Sequence, residues 1–247
     1  ESLTDINTFS FLMLVSILML EFEFEGQNAV LVFPKIQNER KKWLFKTEYF
    51  GAFPKFELEM LERGYYLAHV DNATRWCLDS DTERQADFAG FLSKEFGLEK
   101  KCVPVGMSCG GMQAVYLAAK HPELVAAVYL DAPVMNLLSC PGSVGASKGC
   151  MLEEFTNATN MTLADLINYR KHPIDYADKL LENDIPVFLV CGDSDTIVPY
   201  KENGEQLYNM YKEGNGRIEL VLKPGCDHHP HGLEDCSPIV NFVEKNY

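Results

Sequence analysis

The sequence predicts an α/β fold, a mostly parallel sheet covered by helices on both faces and opened by an antiparallel hairpin. Three observations predict it. Phe22 and Phe24 alternate with Glu21, Glu23 and Glu25 ahead of Gly26-Gln27-Asn28 and the apolar run Ala29 to Phe33, a pattern of two strands and a turn. From Tyr65 onward, short apolar runs alternate with segments of helical periodicity, which calls for parallel strands joined by crossover helices. Cys102 to His121 holds a strand, a tight turn and a helix. Its apolar run stops at Gly106-Met107-Ser108-Cys109-Gly110-Gly111, after which Met112, Val115, Tyr116 and Ala119 recur at helical spacing.

The elements follow in order. Residues 9 to 20 form the most apolar run, flanked by Glu1 and Asp5 before and Glu21 to Glu25 after. A signal peptide needs a basic start and a small-residue cleavage site, and a bilayer span needs greater length, so the run reads as a strand or buried segment entering the hairpin. Trp43 to Tyr49 reads as a third strand and Phe50 to Pro54 as a turn, with Pro54 in the first turn of a helix reaching Arg63. Gly64 ends that helix before a strand over Tyr65 to Val70, and Gly97 ends the next helix, Thr82 to Phe96. Beyond the elbow come strands at Leu124 to Leu130, Ile185 to Cys191 and Ile218 to Leu222, with helices at Lys201 to Lys212 and Pro238 to Tyr247. Pro104 conflicts with its setting, because a central strand loses a ladder donor at proline. Residues 133 to 173 break the alternation and read as a lid or substrate-loop insertion within a single domain over 1 to 247.

Composition narrows the function. The chain has 247 residues, 47% hydrophobic, with a formal net charge of −14. Such a surface disfavours nucleic acid and anionic membrane and favours neutral or cationic substrates. Eight cysteines contain no C-x-x-C, and Cys102, Cys109 and Cys191 lie in apolar elements, the usage of a reduced, cytoplasmic compartment. A Cys140–Cys150 or Cys226–Cys236 bridge is left open.

Three stretches carry chemistry. Gly106-Met107-Ser108-Cys109-Gly110 fits the nucleophile elbow, in which a strained strand-to-helix bend exposes a serine hydroxyl beside free N–H groups that suit an oxyanion. The competing reading is a serine that only caps a helix. Asp193 and Asp195 follow an apolar strand at the sheet's carboxyl edge, where a buried carboxylate can fix a histidine's tautomer, or where an Asx turn simply ends the strand. Lys223-Pro-Gly-Cys-Asp-His-His-Pro-His-Gly232 is a loop suited to a freely swinging base, and Cys226, Asp227, His228, His229 and His231 could instead hold a metal. Taken together the order is Ser108, Asp195, His228, each after a strand. That is the order of the α/β-hydrolase fold. Asp131, ending the preceding strand, is an alternative acid.

Phe22 to Lys35, Gly106 to Gly111, Asp131 to Val134, Cys191 to Pro199 and Lys223 to Leu233 resemble bacterial α/β-hydrolase-fold esterases, small relatives of the dienelactone-hydrolase and prolyl-oligopeptidase catalytic domains. The resemblance implies Ser108 as nucleophile, Asp195 as acid and His228 as base, acting on a carboxylic ester that is small or carbohydrate-linked, without a cofactor. It departs at Asp227, where relatives carry glycine, which leaves His228 open against His229 or His231, and at Cys109, where they carry a larger or polar residue. The oxyanion is expected to rest on the Cys109 N–H and a second N–H from Glu48 or Tyr49. A peptidase or thioesterase on the same fold, a binding module without catalysis, and a metal-dependent hydrolase are the rivals.

Overall fold

The computed structural model describes residues 18–247. The run over 9 to 17 lies outside the described residues, and only its continuation from Leu18 is seen, as the start of a strand. Eight strands make one sheet: β1 (Leu18–Phe24), β2 (Gln27–Phe33), β3 (Trp43–Lys46), β4 (Tyr66–Val70), β5 (Val103–Met107), β6 (Val128–Asp131), β7 (Val187–Gly192) and β8 (Ile218–Lys223), in the spatial order β1-β2-β4-β3-β5-β6-β7-β8. β1 pairs antiparallel with β2, and β2 with β4; every later pairing is parallel. This is the α/β-hydrolase-like arrangement that the sequence predicts, with its N-terminal hairpin.

The alternation of side chains along each strand decides which helices cover which face. Leu44, Val105, Tyr129 and Phe188 pack under α1 (Lys55–Glu62) and α8 (Ser237–Asn246). On the opposite face Phe45 and Ala68 pack under α2 (Asp79–Phe96), while Val128, Leu130 and Leu189 meet α3 (Cys109–Lys120), α6 (Ala177–Glu182) and α7 (Gly204–Glu213). Lys46 shares the α1 face, buried against Glu57 with Nζ 2.5 Å from its carboxylate, so its charge is neutralised inside the core.

Differences from the sequence reading have local causes. β3 ends at Lys46, three residues early, because Thr47 to Tyr49 turn out of the sheet toward α3. β6 starts at Val128, because Pro122–Leu124 winds into a 3-10 turn instead. Tyr200–Glu202 is likewise a 3-10 turn, delaying α7 to Gly204. Asp81 caps the start of α2, accepting the Leu78 N–H at 3.0 Å, and draws that helix back to Asp79. Pro104 is tolerated in the central strand because the ladder breaks there. The register between β5 and the chain beside it slips by one residue between the bridge Cys102↔Val125 and the pair Val105↔Tyr129.

Residues 133–173 carry α4 (Leu152–Thr159) and α5 (Leu163–Asn168), and much of the segment is core. Val134, Leu137, Cys140, Phe155 and Leu166 are buried with Trp76 and Cys109, and Phe155 meets Trp76 edge-on at 5.5 Å. All eight cysteines are free thiols, so neither bridge left open by the sequence is present. No helix among the described residues is long and apolar enough to cross a membrane.

Candidate active site

β5, β7 and β8 end at the same edge of the sheet, and the loops after them carry the three residues in question. Ser108 turns the chain from β5 into α3 with φ 52° and ψ −118°, a strained conformation for a residue with a side chain. The sharpness of the bend comes from its glycines. A Cβ on Gly106 would lie 2.6 Å from the Gly111 Cα, and one on Gly111 would lie 2.8 Å from the Pro133 Cα. β6 locks the bend from the side, with the Ser108 N–H donating to Asp131 O at 2.9 Å and the Val134 N–H donating to Ser108 O at 3.0 Å.

His228 sits between Ser108 and Asp195. Its Nε2 is 3.1 Å from Ser108 Oγ and its Nδ1 2.8 Å from Asp195 Oδ2, and both His228 and Asp195 are buried. The other Asp195 oxygen accepts the N–H groups of Ile197 (2.9 Å) and Val198 (2.8 Å), so its carboxylate is fixed before the histidine arrives. With Nδ1–H committed to a carboxylate, Nε2 carries the lone pair that can take the serine proton.

Asp227, where the sequence departs from the pattern it resembles, has a visible task. Asp227 Oδ1 accepts the N–H of Thr196 (2.7 Å) and of His228 (2.8 Å), while Asp193 Oδ1 accepts the Gly225 N–H at 2.7 Å. The bonds to Thr196 and Gly225 tie the loop of Asp195 to the loop of His228, and the two backbone donors hold the Asp227 carboxyl below the usual carboxylate range. Asp193 is exposed and belongs to this stitching, so of the two strand-end aspartates only Asp195 reaches a histidine.

The other two histidines of this loop have different partners. Asp131, the alternative acid, does not face His228. Its Oδ1 takes His231 Nδ1 at 2.6 Å, and its Oδ2 accepts the Gly232 N–H at 2.7 Å and the Tyr129 hydroxyl at 3.1 Å. His229 is exposed and stacks on Phe53 at 5.6 Å, and burial, then the neighbouring imidazoles of His231 and His228, push its pKa down. The Asp131–His231 pair was invisible in the sequence, since one hundred residues separate its members; the only signal was an aspartate at a strand end.

On the other side of Ser108, Thr47 Oγ1 donates to Gly110 O at 2.8 Å and pins the loop after β3 against the start of α3. Glu48 turns its carboxylate to Gln113 Nε2 (2.7 Å) and Asn72 Nδ2 (2.9 Å), away from the serine. Tyr49 has φ 54° and lays its phenol against the Cys109 thiol and the Arg75 guanidinium; burial, then the thiol, raises the phenol's pKa far above its ordinary value. Burial also pushes the Cys109 thiol up to about 11, so it is a neutral neighbour of the serine at physiological pH. Arg75 is anchored in turn by Glu154 of α4, Nε to Oε1 at 2.6 Å. Among the described residues, the N–H groups of Cys109, Glu48 and Tyr49 donate to no protein acceptor. Trp76 lines a cavity of about 150 Å³ with Tyr116, Leu137, Phe155 and Tyr169; Tyr49 does not border it.

A sequence profile of the prolyl oligopeptidase family matches residues 80–246, which takes in the elbow, the acid loop and the histidine loop. The chain belongs to the prolyl oligopeptidase family. It is therefore a serine hydrolase on an α/β-hydrolase-like fold. Among curated proteins the chain is 31% identical over 128 residues to the acylamino-acid-releasing enzyme of Sus scrofa, covering 50% of this chain and 17% of that protein. It is 30% identical over 141 residues to the enzyme of the same name from Mus musculus, covering 56% of this chain and 19% of that protein. The chain thus matches less than a fifth of these relatives' length. Among solved structures, the acylaminoacyl peptidase of Pyrococcus horikoshii superposes with a TM-score of 0.71 at 18% identity, over 100% of this chain and 44% of that one, a likeness of fold.

Proposed function

We propose that this member of the prolyl oligopeptidase family hydrolyses acyl–amide bonds as a serine peptidase, with Ser108 as nucleophile, His228 as base and Asp195 as its orienting acid. The carrying observation is the unbroken chain from Ser108 Oγ to His228 at 3.1 Å and from His228 to Asp195 at 2.8 Å. Ser108 Oγ attacks the acyl carbonyl as His228 Nε2 takes its proton, and the same nitrogen returns the proton to the departing amine. Asp195 stays ionised and holds Nδ1–H throughout. The negative oxygen of the tetrahedral intermediate is met by the Cys109 N–H at the start of α3 and by a second N–H from Tyr49 or Glu48, in the loop that Thr47 pins against α3. Water then releases the acyl group.

The same machinery cleaves esters, and the sequence alone points to an ester. The relatives that match at about 30% identity release acylated amino acids, which favours the amide here. The insertion over 133–173 is the proposed selector, since it holds Glu154 against Arg75 and lines the Trp76 cavity. Matched N-acetyl-amino-acid p-nitroanilides and p-nitrophenyl esters test the reading, together with a fluorophosphonate probe read by intact mass. One adduct in the wild type, none in Ser108→Ala, and anilide turnover are expected. Ester turnover with no anilide turnover would overturn the peptidase reading, and an unlabelled wild type would overturn the nucleophile.

A further inference from the structure

Three imidazoles meet beside Ser108. The rings of His228, His229 and His231 stand 4.9 Å apart, centroid to centroid, in each of the three pairings. One ligand atom from each lies within 4.8 Å of those of the other two, the one such cluster among the described residues. Two of the three are already prepared as ligands. His228 gives Nδ1 to Asp195 and His231 gives Nδ1 to Asp131, at 2.8 and 2.6 Å, so each ring has a carboxylate behind it and its Nε2 turned away, that of His228 meeting only the Ser108 hydroxyl at 3.1 Å. Carboxylate–histidine–metal relays have this form. The loop is also held from below: Lys223 Nζ donates to Pro230 O at 2.6 Å and the Gly232 N–H to Asp131.

We propose that His228, His229 and His231 form a binding site for a divalent zinc ion that occupies the base of the triad and silences the enzyme. Nitrogen ligands at about 2.0–2.1 Å around a tetrahedral ion lie about 3.3 Å apart, so ligand atoms that stand within 4.8 Å of one another close by up to about 1.5 Å. Water fills the fourth position. The carboxylates of Asp195 and Asp131 offset the ion's charge, and the net charge of −14 draws cations to the surface. Once His228 Nε2 is coordinated it can no longer accept the Ser108 proton. The inhibition rests on the catalytic roles proposed above; the binding does not.

Zinc titration in competition with a chromogenic chelator tests the site on the whole chain as wild type, Ser108→Ala, Cys226→Ser and His229→Gln, with fluorophosphonate labelling followed in parallel. One zinc per chain is expected in the first three, with binding at least about tenfold weaker in His229→Gln. One equivalent of zinc is expected to stop labelling of the wild type, and EDTA to restore it. Absence of saturable zinc binding, undiminished binding by His229→Gln, loss of binding in Cys226→Ser, or labelling that proceeds at the metal-free rate with zinc bound would each overturn the proposal. A wild type that binds zinc but never labels, with or without EDTA, would leave the three-histidine site standing while removing both the serine nucleophile and the silencing.

Discussion

Replacing Asp195 by asparagine is the sharpest probe of the site, because the side chain keeps its shape while one hydrogen bond is reversed. Asp195 Oδ1 accepts the Ile197 and Val198 N–H groups, so the asparagine oxygen stays there and its NH₂ faces His228. A donor opposite Nδ1 forces the imidazole proton onto Nε2, where it points at Ser108 Oγ at 3.1 Å and cannot accept. The same reversal in a serine protease lowers kcat about 10⁴-fold, near 5 kcal/mol in the barrier. Circular dichroism is expected to stay unchanged, while the fluorophosphonate labelling rate falls by about four decades. Asp131→Asn is the matched control. It reverses the bond to His231, which bonds neither Ser108 nor His228, so a loss of about tenfold or less is expected. If Asp195→Asn stays within tenfold of the wild type, or if Asp131→Asn loses as much, the assignment of acid and base fails.

Lys46→Met leaves Glu57 charged in the core and is expected to cost about 3–5 kcal/mol in urea unfolding, most of it regained in Lys46→Met/Glu57→Leu. Phe155→Ala empties the contact between the insertion and Trp76; a loss of about 3 kcal/mol and a raised KM with little change in kcat are expected in unfolding and steady-state assays. Gly111→Ala places a Cβ 2.8 Å from the Pro133 Cα, so soluble expression is expected to fall and the labelling rate of the folded fraction to drop as the elbow widens. The Asp227 carboxyl has a folded pKa below its unfolded value, so its stabilisation is full above about pH 4 and fades as pH falls through the lowered value. Acid unfolding of Asp227→Asn is accordingly expected to be less steep than that of the wild type below pH 4.

What the sequence disclosed and what it withheld divide by range. The elbow was legible because its constraints are local: Gly106, Ser108 and Gly110 lie within five residues, and the helical spacing begins at once. The hairpin and the alternation of strands and helices were legible for the same reason, through periods of two and 3.6. Choosing among His228, His229 and His231, or between Asp131 and Asp195, requires knowing which strand end faces which loop. That is set by the pairing of β7 with β6 and β8, and leaves no local trace. Pro104 looked wrong for a central strand because a one-residue slip in register has no signature in composition. The expected ester came from the resemblance to small esterases, and the triad residues are the same for either bond.

The lacing of Asp193 and Asp227 across the two loops has a mechanical consequence. Thr196 and Gly225 are each gripped by a carboxylate of the facing loop, and His228 by its neighbour Asp227, so Asp195 and His228 are held together, while the Ser108 N–H is held by Asp131 O of β6. The loop of His228 is thus laced twice, to the loop of Asp195 through Asp193 and Asp227 and to β6 through Asp131, which takes His231 and the Gly232 N–H. A histidine held this way is expected to keep one tautomer from turnover to turnover, with no slow reset of the ring.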